Sequence, residues 1–248
     1  MSDFNNGYSR PVEASADTSV DAGLRAFMLG VYNKLALGLL LAAALAWTTG
    51  NVPEVSSLLF TRTAEGILTY TTLGMIVAFS PLVMIFGSMF FMRNAGPGAA
   101  NILYWLVVMT IGAGLGVIFL IYTGASIVST FLITAAAFGA LSLWGYTTKR
   151  NMTGWGSFLI MGVIGLLIAM VVNMFLQSPM MYFVINAVGV LLFSGLIAYD
   201  TQRLKLTYYT LGGNQAAMSS ATSWGALALF INFVNLFQFL LSFLGSRE

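Results

Sequence analysis

Seven apolar stretches, each close to the length of a bilayer-spanning helix, take up most of this chain. They fall at about residues 29–49, 69–92, 101–121, 125–146, 155–177, 180–199 and 224–245. A helix needs roughly 20 mostly apolar residues to cross the hydrocarbon core. Backbone groups in lipid have no water to bond to, so a run of this length must satisfy them internally, as a helix does. The expected fold class is an all-α integral membrane protein with seven transmembrane helices. Charge is scarce enough to agree: 7% of the 248 residues are charged, against roughly 25% in soluble domains. No stretch has a charge at its centre, and Lys34, near one end of the first, can snorkel toward the interface. Residues 1–23 are polar and are expected to form a disordered cytoplasmic tail ahead of a transmembrane domain at 24–248. The tail lacks the basic start and apolar core of a signal peptide.

Lysine and arginine set the orientation. Arg10, Arg25, Lys34, Arg93, Lys149, Arg150, Arg203 and Lys205 fall on one side of the alternating spans, and Arg62 and Arg247 on the other. The excess of positive charge marks the cytoplasmic side. The N-terminus is therefore expected inside and the C-terminus outside. The links at Tyr122–Gly124 and Gln177–Pro179 are very short and join antiparallel neighbours. Gly112, Gly114 and Gly116 in the third stretch, and Ala135, Ala136, Ala137, Gly139 and Ala140 in the fourth, are small residues that let helix backbones approach.

Two absences exclude most enzymes. The chain has no cysteine and no histidine, so thiolate chemistry, imidazole bases and haem-type ligation are closed to it. A rhomboid-type protease needs histidine, and an intramembrane aspartyl protease needs two acids. A retinal protein needs a lysine within a helix, typically the last, and 224–245 has none. No enzymatic activity, no cofactor and no bound metal are expected. A net charge of +2 gives no reason to invoke nucleic acid.

One acid stands out. Between Gly66 and Arg247, Asp200 is the single carboxylate, at the end of the sixth apolar stretch. An intramembrane acid is costly, about 2.5–3.5 kcal/mol at a helix centre and less near an end, and marks a functional candidate. The seventh stretch carries Asn232, Asn235 and Gln238 at spacings of three, on one side of a helix. Amides in hydrocarbon need partners, so this face is expected to turn inward and the last helix to be central. Two uses remain open for it, interhelical hydrogen bonding or the lining of a polar pathway. Asp200 likewise has two readings. It can be an interfacial acid paired with Arg203 one turn on, or it can close a plug through Arg93, which ends the second stretch on the same side. A carboxylate–guanidinium pair is strong when partly dry, and protonating the acid removes half of it. Asn173 with Gln177, and the Ser80–Pro81 interruption, are expected to be structural.

These segments resemble the Bax inhibitor-1 family, also called the transmembrane Bax inhibitor motif family. "VYNKLALGLLLAAALAW" looks like its opening helix, and "GLGVIFLIYTGASIVSTFLITAAAFGALSLWGYTTKRNMTGWGSFL" is similar to its third-to-fifth helix region. "AYDTQRL" and "ALALFINFVNLFQFLLSFLG" look like its sixth-helix and C-terminal signatures. The resemblance implies seven helices with the last surrounded by the other six, a pH-sensitive calcium leak, and, in eukaryotic relatives, suppression of cell death. It further implies that Asp200 pairs with an acid on the last helix, and that Arg93 latches onto this dyad. Where relatives read "LYLDFINLF" this chain reads "LFINFVNLF", which puts Asn232 in the place of the second aspartate. A weaker or displaced pH response and weaker calcium selectivity are expected. The functional expectation is a passive, pH-modulated calcium leak in the bacterial plasma (inner) membrane, gated at Asp200, Arg93 and Asn232, with Asn235, Gln238 and Arg203 along a polar pathway. The alternative is a non-conducting membrane protein that modulates a quality-control protease, another membrane partner or a stress response.

Overall fold

The computed structural model describes residues 13–91 and 96–247. Residues 1–12 of the expected tail lie outside the described residues, as does Arg93. The chain runs α1 (Glu13–Asn51), α2 (Pro53–Leu59), β1 (Phe60–Arg62), β2 (Leu68–Tyr70), α3 (Thr72–Phe91), α4 (Pro97–Gly114), a 3₁₀ segment (Leu115–Leu120), α5 (Gly124–Thr147), α6 (Trp155–Leu176), α7 (Pro179–Leu211) and α8 (Gln215–Leu244). Proline marks several helix starts. Pro53, Pro97 and Pro179 each sit in the first turn, where an absent N–H costs nothing.

Six described helices are long and apolar enough to cross a membrane, beginning with Ala22–Asn51 of α1. The second apolar stretch, 69–92, gives α3, which begins only at Thr72. Its first residues are used otherwise. Leu68–Tyr70 pairs antiparallel with Phe60–Arg62, across a turn in which Gly66 takes φ +79°, a conformation glycine adopts without penalty. Inside α3, Pro81 lacks the N–H that would bond Val77. The Ser80 hydroxyl donates to the Val77 carbonyl instead, at 2.9 Å, so the helix continues through the interruption. Asn173 and Gln177 build the α6–α7 turn. Gln177 adopts the left-handed conformation at φ 49°, and Asn173 Oδ1 accepts from the Ser178 N–H at 3.1 Å.

Among the spans, α8 is the most buried: 56% of its apolar window, against 11–33% in the other five. It packs mainly on α1, α4, α5 and α7, while α3 lies against α4 and α6 against α7. Phe230, Leu229, Leu236 and Leu241 of α8 are fully enclosed. The outward faces of α3 and α6 present Phe79, Val83, Phe158, Met161 and Ile168, side chains suited to lipid.

Small residues act where α1 meets α4 and the 3₁₀ segment. A Cβ on Gly112 would lie 2.7 Å from the Ala42 Cα, and one on Gly116 would lie 2.1 Å from Thr49 Oγ1. Thr49 Oγ1 also donates to the Ala113 carbonyl at 2.9 Å. Gly116→Val should therefore lower stability by about 1–3 kcal/mol, read as a fall in melting temperature in detergent. Gly114→Ala, whose Cβ meets open space, should leave the transition in place. The fourth-stretch expectation needs correction. Ala135, Ala136, Gly139 and Ala140 are exposed. The buried stripe of α5 is instead Ile127, Thr130, Thr134, Phe138, Ser142 and Gly145. Hydroxyls and one glycine, not the alanine run, face the bundle.

Candidate functional site

The sixth apolar stretch does not end at Tyr199. α7 continues to Leu211, about 50 Å in all against a hydrocarbon core of about 30 Å. Asp200 is thus held in a continuous helix, and the link from Thr201 to Ser223 is largely helical. Gly212 and Gly213, both at positive φ, turn the chain. Asn214 then caps α8 by accepting from the Ala217 N–H at 3.1 Å. The hairpin is close. A Cβ on Gly225 of α8 would lie 2.4 Å from Leu204 Cδ2 of α7.

This hairpin brings Asp200 to Asn232. Asn232 Nδ2 donates to Asp200 Oδ2 at 2.7 Å, and Asn232 is only 5% exposed. Beside the pair lies a cavity of about 340 Å³, lined by Asp200, Arg203, Leu204 and Thr207 of α7 and Ala221, Trp224, Gly225 and Ala228 of α8. Arg203, one turn on from Asp200, lines the same cavity. The site is therefore half dry: an amide on the closed side, a cation and space on the open side.

The opposite face of α7 is clamped. Thr201 Oγ1 and Ser142 Oγ share a hydrogen bond at 2.9 Å, and Ser142 Oγ shares another with Tyr32 OH at 2.7 Å. This hydroxyl chain ties α7 to α5 and α1. Gln202 Nε2 donates to the Arg150 carbonyl, and Gln202 Oε1 accepts from the Met152 N–H, both at 2.7 Å. Lys205 Nζ donates to the Tyr146 carbonyl at 3.2 Å and lies 5.3 Å from that ring's centre. With one face pinned, the carboxyl of Asp200 has a fixed direction toward α8.

Sequence reasoning brought Asp200, Asn232 and Arg203 to one place, and the structure does the same. The other two amides go elsewhere. Asn235 Nδ2 donates to the Ile231 carbonyl of its own helix at 2.8 Å. Gln238 is exposed and lines a separate cavity with Tyr70, Pro81 and Thr110. A step of three residues falls about 60° short of a full turn, so the amide row winds away from Asp200. Lys34 was treated as a snorkelling end residue and is more than that. Its ammonium donates to Asn101 Oδ1 and, at 2.7 Å, to Ser223 Oγ, and lies 5.1 Å from the Tyr104 ring centre. It joins α1, α4 and α8. The available signal was the single charge in the first stretch. Among the described residues, no three His, Cys, Asp or Glu side chains come together as a metal site.

Residues 24–248 match the family described as inhibitor of apoptosis-promoting Bax1. The chain belongs to the Bax inhibitor-1 family. Relatives cover nearly its whole length. A protein of Caulobacter vibrioides is 59% identical, over 100% of both chains. RP147 of Rickettsia prowazekii is 41% identical over 94% of this chain and 95% of its own. The inner membrane protein YbhL of Escherichia coli strain K12 is 39% identical over 92% of this chain and 94% of its own. In this Bax inhibitor-1 family member, the two positions that the resemblance pairs are in contact, with an amide on the α8 side.

Proposed function

We propose that this protein is a passive calcium leak of the bacterial inner membrane, modulated by pH and closed by a latch centred on Asp200. The observation that carries the reading is the Asp200–Asn232 hydrogen bond at 2.7 Å beside an open cavity that also holds Arg203. A carboxylate fixed at a cavity wall attracts a cation. It also accepts a guanidinium that blocks the way. Arg93 supplies that guanidinium, as the resemblance implies, and Arg203 adds a weaker local charge. Calcium prefers 6–8 oxygen ligands. One acid and one amide offer far fewer, so an ion is attracted without being retained, which suits a leak down a gradient.

The rest of the architecture in this reading is a seven-helix bundle with α3 as the seventh span and α8 at its centre. The burial of α8 supports it, at 56% of its window. The N-terminus is cytoplasmic and the C-terminus external, on the strength of the lysine and arginine asymmetry. The inner membrane is the location given in the name of YbhL.

The test is flux. Purified protein in vesicles containing a calcium-sensitive dye should pass calcium inward faster than protein-free vesicles, with a rate that varies with pH. Potassium, sodium and magnesium run in parallel give selectivity. Rates equal to empty vesicles at every pH tried would overturn the proposal.

A further inference from the structure

A cleft between α1 and α5 opens the side of the bundle. The two helices scarcely touch, yet they stand beside one another on α8. Near one end of the cleft is a cavity of about 350 Å³, walled by Leu39–Trp47 of α1 and Ile127–Leu132 of α5 and floored by Phe233, Val234 and Phe237. Near the other end is a cavity of about 500 Å³ between Arg25–Tyr32 and Phe138–Tyr146. Phe233 forms the sill between them. Its ring meets Phe131 at 5.4 Å and Phe138 at 5.5 Å, edge-on in both cases. Among the described residues, the Tyr32–Ser142 hydrogen bond, at 2.7 Å, is the polar strut across the gap.

The larger cavity is amphipathic along its length. Met28, Leu29, Phe138 and Leu143 give it apolar walls, Tyr32, Ser142 and Tyr146 add hydroxyls, and the exposed Arg25 lines it as well. Gly139 leaves room in it: a Cβ there would meet nothing within 4 Å. Since α1 and α5 both span the membrane, this gap faces hydrocarbon. Packed interiors do not keep apolar gaps of this size empty, because the lining loses dispersion contacts. Water gains little there, because the Tyr32 and Ser142 hydroxyls are already bonded to one another. An acyl chain does, and Arg25 sits at the level where that chain's headgroup would be.

We propose that the α1–α5 cleft beside Arg25 is a binding site for an anionic phospholipid of the adjoining leaflet. The acyl chain lies against Met28, Leu29, Phe138 and Leu143, and the phosphate meets Arg25. The site stands on geometry separate from Asp200, so it holds whether or not the protein conducts. A bound lipid fills the space that the Tyr32–Ser142–Thr201 chain borders. It thereby stiffens the support of α7.

Native mass spectrometry of the full chain, released from nanodiscs of equal phosphatidylglycerol and phosphatidylcholine, tests it. Phosphatidylglycerol should be retained about fivefold over phosphatidylcholine, the preference that one arginine at an anionic surface supplies. Arg25→Gln should bring the two lipids to parity with total retention little changed. Gly139→Leu should expel both from this site, and the open space at Gly139 predicts an unaltered fold by circular dichroism. Equal retention of the two lipids by the unmodified chain would overturn the proposal, as would an unchanged preference in Arg25→Gln. Should Gly139→Leu fail to fold, Arg25→Gln decides alone.

Discussion

Asp200→Asn should raise the calcium leak about tenfold and flatten its response to pH. The substitution keeps the shape of the side chain. The new amide oxygen still accepts from Asn232 Nδ2, which now donates to Asp200 Oδ2 at 2.7 Å. What disappears is the charge that holds a guanidinium. A hydrogen bond to a charged group is worth about 1.5–3 kcal/mol, against about 0.5–1.5 for a neutral one. The difference, about 1–1.5 kcal/mol, is roughly a tenfold shift between latched and open populations. Asp200→Ala is the useful contrast. It strips the partner from an amide that is only 5% exposed, at a cost of about 1–3 kcal/mol. It should open the leak and also lower the melting temperature, while Asp200→Asn should do only the first. Arg93→Gln should match Asp200→Asn if the two residues form one latch, and Arg203→Gln should give a smaller rise. A leak in Asp200→Asn equal to that of the unmodified protein would remove Asp200 from the gate.

The parts of the molecule legible in the sequence are those set by local, one-dimensional properties. Hydropathy over 20 residues located all six helices that are long and apolar enough to cross, because a bilayer selects on length and composition alone. Asp200 was legible as the lone acid across nearly the whole membrane region. The amide face of α8 was legible as its partner because amides in hydrocarbon must find one, and the family resemblance singled out Asn232 on that face. The failures come from contacts between distant segments. Residues 201–211 look like loop by polarity. They are helical because Thr201, Gln202 and Lys205 find Ser142, Arg150, Met152 and Tyr146, between 50 and 59 residues away. Lys34 finds Ser223 at a separation of 189 residues. No window of sequence holds both ends of such a bond. The later start of α3 has the same origin, since Leu68–Tyr70 at the head of the second stretch pairs with β1. Small residues on α5 misled for a different reason. Composition says that a helix carries small side chains but not which neighbour they face, and Ala135 and Ala136 face out.

Asn232→Asp should give the protein a pH response that the natural chain has only weakly. The natural pair is an acid and a neutral donor, stable whenever Asp200 is ionised. The substitution sets a second carboxyl where the donor stood, at a separation of 2.7 Å in the present geometry. Two charges that close repel by several kcal/mol at the effective dielectric of a protein site. The pair therefore shares one proton over a broad range and titrates as a unit. Within that range the shared proton makes the bond that Asn232 makes now. As pH rises and the proton leaves, the folded state alone bears the repulsion, so stability is present at low pH and is lost on the alkaline side. The melting temperature of Asn232→Asp should accordingly fall on the alkaline side, where that of the unmodified protein shows no such loss. The same step controls the gate. A doubly ionised pair holds a guanidinium harder, so the leak should close on the alkaline side and open as the proton returns. Two carboxylates also supply more charge to a divalent ion than one does, so the ratio of calcium to potassium flux should increase. Both measurements use one preparation, melting and vesicle flux across acidic to alkaline pH. A variant whose two profiles overlay those of the natural chain would show that proton sharing at this contact does not govern the leak, and would leave Asp200 acting through its charge on a cation alone.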